Sequence, residues 1–185
     1  MTDEILLVAA DKMDKAIEFA KEEFAAIRTG RASGALFAKI NADYYGSPTP
    51  LQQLASFSTP EPRTVIVTPF DKTAIAAIEK AIRDSDLGVS PANDGNVLRV
   101  VLPALTEERR RDYVKLAKAK AEDARVAIRG VRRKAKEDID KQVKDGEIGE
   151  DEGNRAEKEL DVLTKKYTDQ IDGLLATKEQ ELLEV

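Results

Sequence analysis

The chain has 185 residues, of which 35% are charged and 5% aromatic, with a net charge of −5. That length gives room for one large or two small domains with a sizeable core, and the charged, aromatic-poor composition leans towards helical bundles. The sequence contains no cysteine and no histidine, which excludes disulfide staples, thiolate chemistry, a histidine base and the commonest zinc ligands.

Residues from about Thr2 to Arg28 read as one amphipathic helix, because Ile5, Ala9, Met13, Ala16, Ile17, Ala20, Phe24 and Ile27 recur at helical spacing. Arg28 would place a cation at the negative end of the helix dipole, and Gly30 suits the left-handed conformation that commonly follows a helix end. The N-terminus, Met1-Thr-Asp-Glu4, lacks the basic start and apolar stretch of a signal peptide. No run approaches the roughly 18 apolar residues that cross a bilayer, so a soluble cytoplasmic protein is expected.

Between Arg31 and Pro103 the texture changes. Prolines concentrate here and the apolar period shortens, predicting strands at Leu36 to Tyr44, Leu51 to Phe57, Thr64 to Thr68 and Val97 to Leu102. Gly46-Ser-Pro48, Pro60-Glu-Pro62 and Asn93-Asp-Gly95 punctuate them as turns. Asp71 to Asp86 reads as a helix, capped by Asp71, faced by Ile75, Ile78 and Ile82, and closed at Gly88. A small sheet carrying at least one helix is expected.

Thr106 then caps a long helix with Glu107 and Glu108 in its first turn; a run to about Lys144 would be roughly 57 Å long. Tyr113, Ala117, Ala121, Ala124, Ile128, Val131, Ala135 and Ile139 form its apolar stripe. Beside that stripe Arg111, Lys115, Lys118, Arg125, Arg129, Arg132, Arg133 and Lys136 gather within roughly a quarter turn, as a rail suited to phosphates. From Glu107 to Lys136 twelve Lys and Arg face five Asp and Glu, a net of +7, whereas Glu137 to Asp161 carries four against eleven, a net of −7. Such segregation favours one charged binding surface over a merely solvated one. Asp145-Gly146 to Gly149 makes a turn, and a third helix follows with Ala156, Leu160, Leu163, Tyr167, Ile171 and Leu174 as its stripe. None of the three helices can bury its stripe alone, so the first must pair with those beyond Pro103. The organisation expected is a discontinuous bundle, 1–30 plus 105–185, with 31–104 inserted.

No nucleotide-binding loop is present; Gly30-Arg-Ala-Ser-Gly34 only imitates the spacing. The acidic tract Asp145 to Glu152 lacks the alternating ligands of a calcium loop, and no metal site is expected. Tyr44 and Tyr45 read as sheet packing rather than a base-stacking platform. The carboxylates lie among Lys and Arg on helix faces, and no catalytic constellation emerges.

The whole chain resembles the bacterial ribosome recycling factor family. The matching motifs are Ile27-Arg-Thr-Gly-Arg-Ala32, Asp43-Tyr-Tyr-Gly46 with Thr49-Pro-Leu51, Ser85-Asp-Leu-Gly88, Asn93-Asp-Gly95, Leu105-Thr-Glu-Glu-Arg-Arg110, Ile128-Arg129 with Val131-Arg-Arg133, and Glu150-Asp-Glu152. The resemblance implies an α+β fold, a long three-helix bundle with an inserted β/α/β domain, L-shaped and tRNA-like in outline. It implies a non-enzymatic, monomeric translation factor without a cofactor. Such a factor binds RNA of the large ribosomal subunit near the peptidyl-transferase region and splits the post-termination complex with elongation factor G, which handles the GTP. By the same resemblance the RNA-contacting arginines are Arg28, Arg31, Arg110, Arg129, Arg132 and Arg133, and the hinge is Gly30, Arg31, Pro103, Ala104, Leu105 and Thr106. Gly130 departs from the family, which usually has Asn there. Two other readings of the residues are a coiled-coil clamp for tRNA or other RNA, and a helical protein-interaction scaffold; only for the scaffold would binding ignore the arginines.

Overall fold

A computed structural model describes residues 2–184. The chain divides into two compact units, one of Met1–Phe24 with Lys115–Gln180 and the other of Ala25–Val114 with Glu181–Val185. No helix among the described residues is long and apolar enough to cross a membrane.

The first unit is built from helices α1 (Thr2–Ala25), most of α4 (Glu107–Lys144) and most of α5 (Glu150–Leu183). Their stripes meet as expected: Met13, Ala117, Ala121, Ile128, Leu160 and Ile171 are wholly buried. One polar contact lies within this packing, where the Tyr167 hydroxyl donates to Asp14 Oδ1 at 2.7 Å. Burial first, and then this carboxylate, push the Tyr167 phenol up to about 12. The α4–α5 turn closes like a Schellman motif, with Gly146 N donating to the Val143 carbonyl and Glu147 N to that of Gln142, and with Gly146 at φ 74°. The helices approach closely just beyond it: a Cβ at Gly153 would lie 2.6 Å from Val143 Cγ2.

Helix α1 ends at Ala25 rather than Arg28. Ile27 and Arg28 instead turn inward and are buried, and the Thr29 hydroxyl accepts from Arg31 N at 3.3 Å, a local turn that competes with helix continuation. Gly30 is not among the residues with positive φ, so the expected left-handed stop is not formed there.

The second unit holds a hairpin and a four-stranded sheet. Strands β1 (Asn41–Tyr44) and β2 (Ser47–Pro50) pair antiparallel around Tyr45 and Gly46, both at positive φ. Strands β3 (Ala55–Glu61), β4 (Thr64–Pro69), β5 (Ala92–Asn93) and β6 (Leu98–Val101) form an antiparallel sheet in the order β3-β4-β6-β5. Helix α3 (Ile75–Arg83) packs Ile78 and Ile82 into one core with Val65, Val67, Leu98 and Val100. Its entry is a 3-10 turn, Lys72–Ala74, for which Asp71 is the cap: Oδ1 accepts from Thr73 N at 2.9 Å and from Thr73 Oγ1 at 2.7 Å. One strand expectation is shortened, and another, Leu51 to Phe57, is displaced to Ala55–Glu61. Gly34–Phe37 is a 3-10 turn capped by Ser33, leaving only 41–44 of the first strand, and Leu51–Leu54 is a single helical turn, α2, ahead of β3. In both places a local side-chain or backbone cap outweighs the alternation of apolar residues.

Candidate nucleic-acid interface

Helix α4 presents its cations beside the buried stripe because a 3.6-residue period turns Arg125, Arg129, Arg132 and Arg133 to one flank when Ala121, Ala124, Ile128 and Ala135 face the core. The rail is not a row of free cations. Arg132 donates to Asp161 Oδ1 of α5 through Nε at 2.8 Å, and its Nη2 lies 2.6 Å from the same oxygen in an ion pair. Arg125 donates to Asp172 Oδ1 through Nε at 3.0 Å and Nη2 at 2.6 Å. Glu122 accepts from Arg129 Nη2 at 2.7 Å on one oxygen and from Arg125 Nη1 at 3.4 Å on the other. The Arg129 bond is the main reason that Glu122 is held below the usual carboxylate range, while the bond to Asp172 raises Arg125 further. Arg111 pairs with Glu107, and Lys136 with Asp140. Arg133 is exposed and pairs with no carboxylate among the described residues.

The segregation of charge along the sequence therefore has a partly internal destination. The α4–α5 hairpin lays the acidic block against the basic one, so Arg132 of the +7 segment meets Asp161 of the −7 segment. Sequence reading identified the cations and missed these partners. A carboxylate on α5 opposite an arginine on α4 is set by helix register, which no local pattern reports.

In the second unit the remaining arginines have a different setting. Arg28 is only 9% exposed, and its Nε is buried without a hydrogen-bond partner among the described residues; the same holds for Nε of Arg110. Burial lowers the Arg28 pKa, Tyr113 opposes that, and Arg63 and Arg109 lower it further. An arginine stays charged through such a shift, so the second unit holds concentrated positive charge and buried donors with unused capacity. Arg63 and Arg109 were absent from the expected set; the only sequence signal for them is the cluster Arg109-Arg-Arg111 and the exposed Pro-Arg turn. Arg31 is exposed.

Of the expected hinge residues, Gly30 is half-buried, with the Glu184 carbonyl 3.5 Å from where its Cβ would be. Pro103 and Ala104 are exposed and Leu105 is half-buried. Thr106 caps α4 as its sequence position implies, its Oγ1 accepting from Arg109 N at 3.1 Å. No group of acidic residues that could hold a metal ion occurs among the described residues.

The family model for ribosome recycling factor matches residues 20–183. The ribosome-recycling factor of Streptomyces coelicolor is 69% identical over 185 residues, covering 100% of both chains, and that of Kineococcus radiotolerans is 66% identical with the same coverage. Among solved structures, a solution structure of the ribosome recycling factor superposes with a TM-score of 0.78 at 46% identity, covering 100% of this chain and 98% of that one. A second, with a TM-score of 0.70, 42% identity and full coverage of both chains, comprises models for the T. thermophilus ribosome recycling factor and E. coli elongation factor G bound to the E. coli post-termination complex. With full-length identity at this level, and with the expected helices and sheet in place, the chain belongs to the ribosome recycling factor family.

Proposed function

We propose that the protein recycles ribosomes after termination, binding the large subunit through RNA and splitting the post-termination complex together with elongation factor G. It works without catalytic residues of its own, the GTP being the partner's. The observation that carries this reading is the full-length likeness to a factor whose models place it with elongation factor G on the post-termination complex. Arg28, Arg31, Arg110, Arg129, Arg132 and Arg133 are the RNA contacts. Support comes from Arg31 and Arg133, which are exposed and can offer their guanidinium edges to phosphate oxygens. Residues 31–104 act as a lever against the discontinuous bundle 1–30 plus 105–185. Gly30, Arg31 and Pro103 to Thr106 absorb the backbone rotation, since hinge motion concentrates in a few residues between packed elements.

Co-sedimentation with vacant ribosomes and isolated subunits over a salt series, with free tRNA as competitor, tests the reading. Large-subunit binding should weaken linearly in log salt, and Arg133→Ala should shallow that slope by about 0.7 to 0.9 as one phosphate contact is lost. Arg132→Ala should change it less, because Asp161 already neutralises part of that charge. Binding to free tRNA in preference to ribosomes, or binding indifferent to both substitutions, would overturn it.

A further inference from the structure

Three of the four central arginines on α4 already spend their best donors within the protein. Arginine binds a phosphate by offering two parallel N–H groups along one edge of its guanidinium. In Arg132 and Arg125 that edge, Nε with Nη2, is directed at one oxygen of Asp161 and of Asp172. Arg129 gives Nη2 to Glu122. Each carboxylate thus stands where a phosphate oxygen would, and each is more than half exposed, at 52%, 58% and 55% of its side chain.

We propose that Asp161, Asp172 and Glu122 are internal phosphate surrogates: they hold the Arg132, Arg125 and Arg129 side chains extended for RNA, and RNA must displace them to bind. This rests on the RNA-binding reading given above and extends it to Arg125, which lies on the same flank of α4 as Arg129 and Arg132. The consequence is a deliberately moderated affinity. A phosphate that takes an arginine from its carboxylate leaves an unpaired anion beside the RNA backbone, so part of each gain is returned as repulsion. Pre-extension works the other way by lowering the rotamer entropy lost on contact, which is large for a free arginine. The two carboxylates of α5 lie eleven residues apart, about 16 Å along the helix, so their effects should add.

The test uses the full-length protein and compares three substitutions that each remove one negative charge: Asp161→Asn, Asp172→Asn and Asp169→Asn. Asp169 is on the same helix but pairs with Lys165, and it serves as the control for net charge. Asparagine keeps the shape and an acceptor oxygen, and having two surrogate positions lets one decide if the other fails to fold. Asp161→Asn and Asp172→Asn should each bind vacant ribosomes about two- to fivefold tighter than Asp169→Asn, the range of an exposed ion pair. Both should also elute from immobilised heparin at higher salt than the control. If these carboxylates are merely staples between α4 and α5, their loss loosens the arginines and ribosome affinity falls or stays level with the control, which overturns the proposal. Equal elution from heparin overturns it as well. Failure of the parent protein itself to bind ribosomes, with the heparin difference intact, would instead overturn the recycling assignment.

Discussion

Helical glycines in the first unit give a prediction whose sign depends on about one ångström of space. An alanine in a helix interior is favoured over glycine by about 1 kcal/mol, because glycine loses more backbone entropy on folding. At Gly130 in α4 and Gly173 in α5 an added Cβ meets nothing within 4 Å, so Gly130→Ala and Gly173→Ala should each stabilise by about 0.5 to 1 kcal/mol. At Gly153 the same methyl would sit 2.6 Å from Val143 Cγ2, with Ile139 Cγ2 at 3.9 Å behind it. Ordinary contact needs close to an ångström more, and Val143 cannot swing aside, since a β-branched residue in a helix has essentially one rotamer. Overpacking of this kind costs about 1 to 3 kcal/mol, enough to cancel or exceed the propensity gain. Gly153→Ala should therefore lie about 1 to 3 kcal/mol below Gly130→Ala, a gap of several degrees in Tm for a chain of this size. Thermal unfolding followed by circular dichroism at 222 nm measures it. Repeating Gly153→Ala in a Val143→Ala background removes the opposing methyl and should abolish most of the penalty. The packing argument is refuted if Gly153→Ala raises Tm as much as Gly130→Ala, or if its cost is unchanged when Val143 is alanine.

The Tyr167 phenol titrates at about 12 folded against 10.0 unfolded, so the native state holds this proton more tightly. Its contribution, on the order of 2 to 3 kcal/mol, is complete below pH 10 and is lost as pH rises from 10 through 12; Tyr167→Phe should flatten that part of the stability profile, and an unchanged profile would refute the assignment. In the second unit, Asp71→Ala should lower thermal stability more than Asp71→Asn, which keeps an acceptor for Thr73 N, and equal effects would show that the cap is not what matters. Joining 1–30 to 105–185 through a short Gly/Ser linker should leave a helical protein that binds ribosomes but no longer splits them with elongation factor G; a disordered product by circular dichroism counts against the discontinuous bundle. Because Gly30 does not have positive φ and has ordinary space at its Cβ, Gly30→Ala should fold normally, so reduced splitting with intact ribosome binding would identify a hinge effect free of misfolding.

Elements whose physics is local and repetitive were legible along the chain. Thirty-eight residues of α4 follow from an unbroken 3.6-residue stripe, a Thr106 cap and two glutamates in the first turn, and its end follows from Gly146 in a left-handed turn. The fold class, the arginine flank and the absence of histidine or cysteine chemistry were legible for the same reason: each is a property of one segment or of composition. The sequence misled where two local signals competed, as at Gly34–Phe37 and Leu51–Leu54, where a cap or a single turn outweighed alternation, and at Ile27 and Arg28, which burial draws out of the helix. Tertiary structure alone decided what the arginines touch. Arg132 meets Asp161 across 29 residues and Arg125 meets Asp172 across 47, because an antiparallel helix pair fixes which turns lie opposite, and that register depends on the α4–α5 turn and on packing at Gly153. The same holds for Arg28, whose burial beside Arg63 and Arg109 assembles distant segments into one charged cluster. Electrostatics at close range depends on distances between elements, and those distances exist only once the chain has packed.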